Sequence, residues 1–334
     1  MVRSGPGRNN RIPFILLSCQ KRALTLITFS LSIPSGFRLR DVIYSHGWST
    51  LPPFGLDEEG PRLGRLFRLA PGRLVGARVN QADARLRLAV VAGGPLAPAE
   101  RTALRVQAAR CLRLDEDLTE FHALAAAHPR FRWVARRGAG RLLRSPTVFE
   151  DVVKMICTTN CAWAQTRAMT ARLCATFGEP DGNGGHAFPE PAAVAEAAPR
   201  LLRERIRAGY RAPFILDLAR RIARGRLDLE GFRSASVPSE ELYRELRALR
   251  GLGEYAAGAV LKLLGRYDYL ALDVLCRKRF ARIRNGGRPA SDQAIARAYE
   301  RFGRWRGLFC WMDLTRDWYR LSRPFARLAA SKPG

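Results

Sequence analysis

Lysine is scarce in this chain. It occurs only at Lys21, Lys154, Lys262, Lys278 and Lys332, although Lys and Arg together number 57. Acids are also few, 30 in 334 residues, which leaves a formal charge of +27. Such a field repels cations and favours phosphate backbones or anionic membrane surfaces. A GC-rich genome would account for arginine in place of lysine, but not for the excess over acid. Arginine's planar fork suits phosphates and base edges better than an ammonium does. No Cys-x-x-Cys pair exists. The seven cysteines, Cys19, Cys111, Cys157, Cys161, Cys174, Cys276 and Cys310, are odd in number and scattered through apolar stretches. That is the usage of reduced, buried thiols in an intracellular protein. Cys157, Cys161 and Cys174 come nearest a metal spacing, yet no histidine falls at a finger-like distance, so no zinc site is expected. An iron–sulfur cluster needs four grouped cysteines, and the chain after Asp273 offers only Cys276 and Cys310. No apolar run is long enough for a bilayer. Ile12 to Leu17 is short, and Lys21-Arg22 breaks the chain before its next apolar residues.

Residues 1–40 hold no acid at all. They are read as a disordered extension, an organellar leader or an early start codon. Residues 41–135 form the expected N-terminal β-containing domain. Within it Leu66 to Leu69, Arg73 to Val79 and Arg85 to Val91 alternate polar and apolar residues, separated by turns at Ala70-Pro71-Gly72 and Asn80 to Asp83. Residues 136–325 carry helical periodicity almost throughout. Helices are expected in Thr147 to Phe177 and over Leu201 to Ile206, Ala212 to Ala223, Ser239 to Leu249, Tyr255 to Leu264 and Val274 to Ile283. Gly178 to Pro189 reads as a loop. Residues 326–334 are a tail, and no internal repeat is present. The fold class is therefore mostly α with a small antiparallel β-sheet in the N-terminal domain.

One stretch points to chemistry. Leu249 to Gly258 reads as two helices joined by a hairpin with glycines at Gly251 and Gly253, which surround Leu252. Glycines there can take positive φ and leave the backbone bare. Amides opening the second helix make an anion site, and on DNA the anion is a phosphate. A plain helix-helix turn would also carry glycine. Twenty residues past Gly253, Asp273 comes after an apolar run and opens a basic helix. It can cap that helix, and a capping carboxylate is held rigid and pointed outward, so capping and catalysis are compatible.

Hairpin, second helix, and Leu272-Asp273-Val274 before a basic helix together resemble the helix-hairpin-helix (HhH-GPD) DNA glycosylase superfamily, nearest its 8-oxoguanine and 3-methyladenine branches. Arg141 to Pro146, Phe149-Glu150, Ile156 to Asn160, Phe188-Pro189 and Gly209 to Ala212 are similar, in order, to segments of 8-oxoguanine DNA glycosylases, and Phe302-Gly303 to Leu314 fits loosely. The likeness spans roughly residues 60 to 320. It implies the helix-hairpin-helix glycosylase fold, with Asp273 as catalytic aspartate. It also implies that Asn160, Tyr210 and Arg211 fill the gap left by a flipped base and contact its orphaned partner.

The chain departs from the family at telling places. Bifunctional members carry a nucleophilic lysine where this sequence has Tyr255. Lys262, two turns on, is read as a snorkelling surface side chain. The resemblance therefore implies base release without lyase activity. A glutamine that reads 8-oxoguanine falls on Cys310, and a family histidine on Leu275. An aromatic pocket for electron-poor, alkylated bases is equally open, with Tyr255, Trp305 and Trp311 as walls and Cys310 nearby.

The expected activity is a monofunctional DNA glycosylase in base excision repair, acting on an oxidised or alkylated base. The alternative is a non-catalytic helix-hairpin-helix DNA-binding protein. Asp273 must be charged for this chemistry, and Arg277, Arg279 or the helix amino end is expected to keep it so. The partner is double-stranded DNA with a damaged base, no membrane is involved, and the protein is read as a monomer. No cofactor is required, no iron–sulfur cluster is expected, and a monovalent cation at the hairpin is implied by the resemblance. An intracellular location is expected, nuclear in a eukaryote or cytoplasmic and nucleoid-bound in a bacterium.

Overall fold

The computed structural model describes residues 25–57, 61–234 and 236–321. Residues 1–24 and 322–334 lie outside it, so most of the expected leader and all of the tail beyond residue 326 are not described.

Five antiparallel strands form one sheet in the order β1-β5-β4-β3-β2. They are β1 (Thr25–Ser32), β2 (Phe54–Leu56), β3 (Leu63–Ala70), β4 (Arg73–Ala82) and β5 (Arg85–Ala92). Strand β5 shows why the sheet forms. Leu86, Leu88, Val90 and Ala92 are buried while Arg85 and Arg87 are exposed, the period-two pattern of a one-sided sheet. The β4–β5 turn is tighter than its sequence suggests. Asn80 to Ala82 pair within the ladder, and only Asp83 and Ala84 turn, with Asp83 at φ 53°.

Strand β1 corrects the reading of residues 1–40. Thr25 to Ser32 pairs with β5 along its length, and Phe29 is buried. Its alternation of Leu26, Thr28 and Ser30 with Ile27, Phe29 and Leu31 is a strand signal that the acid-poor, basic lead-in obscures.

The remaining chain is helical: α1 (Leu39–Ile43), α2 (Pro98–Cys111), α3 (Thr119–Ala127), α4 (Arg132–Arg137), α5 (Val148–Thr158), α6 (Trp163–Phe177), α7 (Pro191–Ala195) and α8 (Pro199–Glu204). Next come α9 (Ala212–Ala223), α10 (Ser239–Ala248), α11 (Glu254–Leu263), α12 (Val274–Arg284), α13 (Asp292–Tyr299) and α14 (Arg306–Leu314). No helix among the described residues is long and apolar enough to cross a membrane.

Two hydrophobic clusters hold these elements. One joins the sheet to α5, α9, α10 and α11. The other gathers α12, α13 and α14, and it takes in Phe121 of α3 and Val134 of α4. Helices α3 and α4, placed with the N-terminal domain from sequence, thus share a core with the C-terminal helices, where Phe131 meets Phe302 and Phe309 edge-on.

Buried charge pins the sheet to the first cluster. Arg65 on β3 donates to both carboxylate oxygens of Glu150 on α5, at 2.9 and 2.5 Å, and Lys154 Nζ donates to the same group at 2.6 Å. Burial alone would raise the Glu150 carboxyl. Arg65 and then Lys154 outweigh it and hold the group at about 2. Arg113, fully buried after α2, donates to the carbonyls of Lys262 and Leu263 at 2.5 and 2.8 Å and so satisfies the carboxyl end of α11.

Candidate active site and nucleic-acid interface

A cleft of about 1350 Å³ opens where the two clusters meet. The α10–α11 hairpin forms one lip. Leu252 is buried and its amide donates to Leu249 O at 3.1 Å, which anchors the turn in the core. Gly251 stands at φ +92°, and an added Cβ would lie 2.7 Å from the Phe214 ring. Only this glycine needs the left-handed region. Gly253 has φ −76°, caps α11 without a side chain, and has open space where a Cβ would go. It leaves the first amides of α11 without intrahelical partners and open to approach.

Asp273 lies at the cleft as the N-cap of α12. Its Oδ1 accepts the amide of Cys276 at 2.6 Å, and its carbonyl accepts Arg277 N at 3.0 Å. The carboxylate therefore rests on the positive end of a helix. The arginines expected beside it are engaged elsewhere. Arg277 binds Asp292 through two bonds of 2.7 and 2.8 Å, and Arg279 binds Leu314 O and Asp317.

Tyr255 faces this carboxylate from the first turn of α11. Burial, and then the charge of Asp273, push its phenol well above the usual value, so it stays an O–H donor. Trp311 on α14 forms another wall, its indole N–H fixed to Ser45 O at 3.0 Å. Leu275 also borders the cleft, 39% exposed. Cys310 and Trp305 do not. Both are buried in the second cluster, with Trp305 stacked on Tyr267. On α14, adjacent residues point different ways, so with Trp311 in the cleft Cys310 before it is turned into the core.

Asn160 and Tyr210 both line the cleft. Asn160 is exposed with φ +46°, and Tyr210 is 50% exposed, its hydroxyl 3.3 Å from both Thr159 Oγ1 and Thr159 O. Arg211 does not join them at the surface. It is buried, donates to the Thr159 carbonyl and lies 4.4 Å from the Tyr210 ring centre. Its guanidinium ties the two rim loops together instead of reaching out.

Three cleft residues escape sequence reasoning. Lys262 is buried, not snorkelling, with Nζ 4.7 Å from the Trp311 ring centre and 3.4 Å from Leu270 O. Burial pushes its ammonium below the ordinary lysine value, against the opposing charge of Asp273. The available signal was α11 itself. Ala256 to Leu263 is buried on every side, and a helix apolar all round offers no water to snorkel toward. His46 and Trp48 enter from the loop after α1. Trp48 Nε1 donates to Asp151 Oδ1 at 2.7 Å. Gly47 between them packs on Trp163, whose ring would sit 2.2 Å from an added Cβ. No periodicity marks such a segment.

Residues 153–308 match the family model described as "HhH-GPD superfamily base excision DNA repair protein". A curated relative, DNA-3-methyladenine glycosylase of Bacillus subtilis (strain 168), is 25% identical over 211 residues, which cover 59% of this chain and 69% of its own. The fold is similar to 3-methyladenine DNA glycosylase from Archaeoglobus fulgidus, with TM-score 0.69 and 22% identity over 88% of this chain and 99% of that one. It is also similar to the 8-oxoguanine glycosylase/lyase of Clostridium acetobutylicum, solved with double-stranded DNA containing cytosine opposite 8-oxoG, with TM-score 0.66 and 19% identity over 86% of this chain and 93% of that one. Through residues 153–308 the chain is thus similar to the HhH-GPD superfamily of base excision DNA repair proteins.

Proposed function

We propose that this protein is a monofunctional DNA glycosylase, which flips a damaged base from duplex DNA and hydrolyses its N-glycosidic bond without cutting the strand. One observation carries the reading. Asp273 is fixed at a cleft shared with the glycine hairpin and Tyr255, and the resemblance implies that Tyr255 takes the place of the Schiff-base lysine of bifunctional members.

In this reading the α11 amides beyond Gly253 grip a phosphate. Tyr210 and Asn160 wedge into the stack while Arg211 braces their loops. Flipping costs a few kcal/mol, less for a damaged pair. Bond cleavage develops positive charge on the sugar. A carboxylate at the cleft mouth stabilises that charge and takes a proton from the attacking water. No redox cofactor is needed. The carbonyls of Arg250, Gly251 and Leu252 accept no backbone hydrogen bond among the described residues, which suits a monovalent cation held there to neutralise the gripped phosphate. The protein works as a monomer on double-stranded DNA.

The test is incubation with duplexes bearing oxidised, alkylated or deaminated bases, and then treatment with alkali. Alkali-labile sites that vanish in Asp273→Asn are expected. Release that persists in that variant rejects Asp273, and binding without release from any duplex supports the non-catalytic alternative.

A further inference from the structure

An aromatic pocket attracts cationic bases because the π face is electron-rich. Here that face is already taken. The Lys262 amine lies over Trp311 at 4.7 Å and donates to Leu270 O at 3.4 Å. Side chains on a helix lean toward its amino end, so Lys262 reaches back up α11 toward Tyr255 and the cleft. The buried Arg113 blocks the other direction by holding the Lys262 carbonyl.

His46 complements it. Its Nε2 is 2.5 Å from Leu143 O, and a carbonyl can only accept, so Nε2 carries the proton and Nδ1 is left as an acceptor. Burial first, then the charges of Arg113, Lys262 and Lys154, push the imidazole down to about 3, against the Leu143 hydrogen bond, and the ring is neutral in use. The basic groups around it thus come from three parts of the chain, and its state does not change across the working pH range. The cleft offers one N–H donor, the Lys262 amine, and one neutral acceptor, His46 Nδ1, neither used in the chemistry above.

We propose that Lys262 and His46 read the extruded base and select a neutral purine carrying an added lactam, an N–H beside a C=O, against a cationic N-alkylated base. The lactam oxygen accepts from Lys262 and the lactam N–H donates to His46. A base with a fixed positive charge finds the Trp311 ring covered by the Lys262 amine. This inference rests on the glycosylase reading and names its substrate class.

The experiment compares single-turnover release from duplexes containing 8-oxoguanine, hypoxanthine or 7-methylguanine, in the wild type and Lys262→Met. A parallel arm measures binding to the same bases on 2′-fluoroarabino sugars, which resist hydrolysis. The wild type is expected to release at least one of the two neutral bases ten or more times faster than 7-methylguanine, which keeps the guanine lactam but carries a positive charge. Lys262→Met is expected to reduce that ratio at least tenfold, with thermal midpoint as the fold control and Lys262→Gln as the second variant should methionine misfold. His46→Gln should lower lactam release without raising 7-methylguanine release. Faster release of 7-methylguanine by the wild type, or an unchanged ratio in both Lys262 variants, overturns the proposal. If no base is released, the binding arm separates the two ideas. Lactam preference lost in Lys262→Met retains the pocket reading and sinks the hydrolase, whereas no preference sinks the pocket reading as well.

Discussion

Asp273 Oδ1 accepts the Cys276 amide at 2.6 Å, so the carboxylate at the cleft mouth is also the cap of α12. Asparagine caps a helix about as well as aspartate, but carries no charge for an oxocarbenium-like sugar. Asp273→Asn should therefore keep its stability within about 1 kcal/mol while base release falls about a hundredfold or more. Asp273→Ala should lose as much activity and a further 0.5–2 kcal/mol or so of stability. Denaturant melts beside single-turnover assays check both. Equal destabilisation by the two variants with activity retained would reduce Asp273 to a cap.

The lyase question turns on Lys262 as well as Tyr255. A buried amine with a depressed proton affinity is what a Schiff-base nucleophile needs. Yet Lys262 is two turns deeper than Tyr255, about 10 Å along the axis. Borohydride trapping on abasic duplex should give no covalent adduct with the wild type, and Tyr255→Lys should create one. A wild-type adduct lost in Lys262→Met would make this chain bifunctional through an unexpected residue.

Gly253 separates helix capping from phosphate binding. Its φ is −76° and nothing crowds its absent Cβ. Gly253→Asp supplies α11 with the side-chain cap it lacks, which should leave stability unchanged or raise it by a few tenths of a kcal/mol or so. The same carboxylate faces the phosphate. Duplex affinity should fall about tenfold, and the salt dependence should weaken by about one ion. Gly251→Ala should instead fail at the level of folding, by about 1–3 kcal/mol, since it combines positive φ with a contact on Phe214. Binding titrations across salt concentration, with parallel melts, distinguish these.

The hairpin, the capping aspartate and most helices were legible because glycine, proline and apolar periodicity mark them within a few residues. What escaped was set by distant packing. His46 reaches the cleft because Gly47 lets its loop lie on Trp163, a contact across more than a hundred residues. Arg211 reads as a surface arginine, but the Thr159 carbonyl draws it inward. Cys310 aligned with a reading residue, yet its helix turns Trp311 to the cleft instead. In each case residue type and spacing were visible, and the side chain's direction was not.

His46 also leaves a signature in stability. Its folded value of about 3 lies below the ordinary 6.5. Between these values the unfolded chain binds more protons than the native one, so stability falls as pH drops from 6.5 toward 3. A single such group contributes a slope of up to about 1.4 kcal/mol per pH unit. The ring borders an open cleft, and water there should narrow the pH window over which that slope holds. Glu150 does not contribute between pH 7 and 5, because its stabilisation is lost only as pH falls from the ordinary 4.5 to about 2. Other carboxylates titrate in both proteins alike, so the comparison with His46→Gln isolates the histidine. Urea unfolding at pH 7, 6 and 5 should show the wild type losing more stability per unit than His46→Gln. Parallel curves would mean that the imidazole is free to protonate in the native cleft, and that Nδ1 is not held as an acceptor.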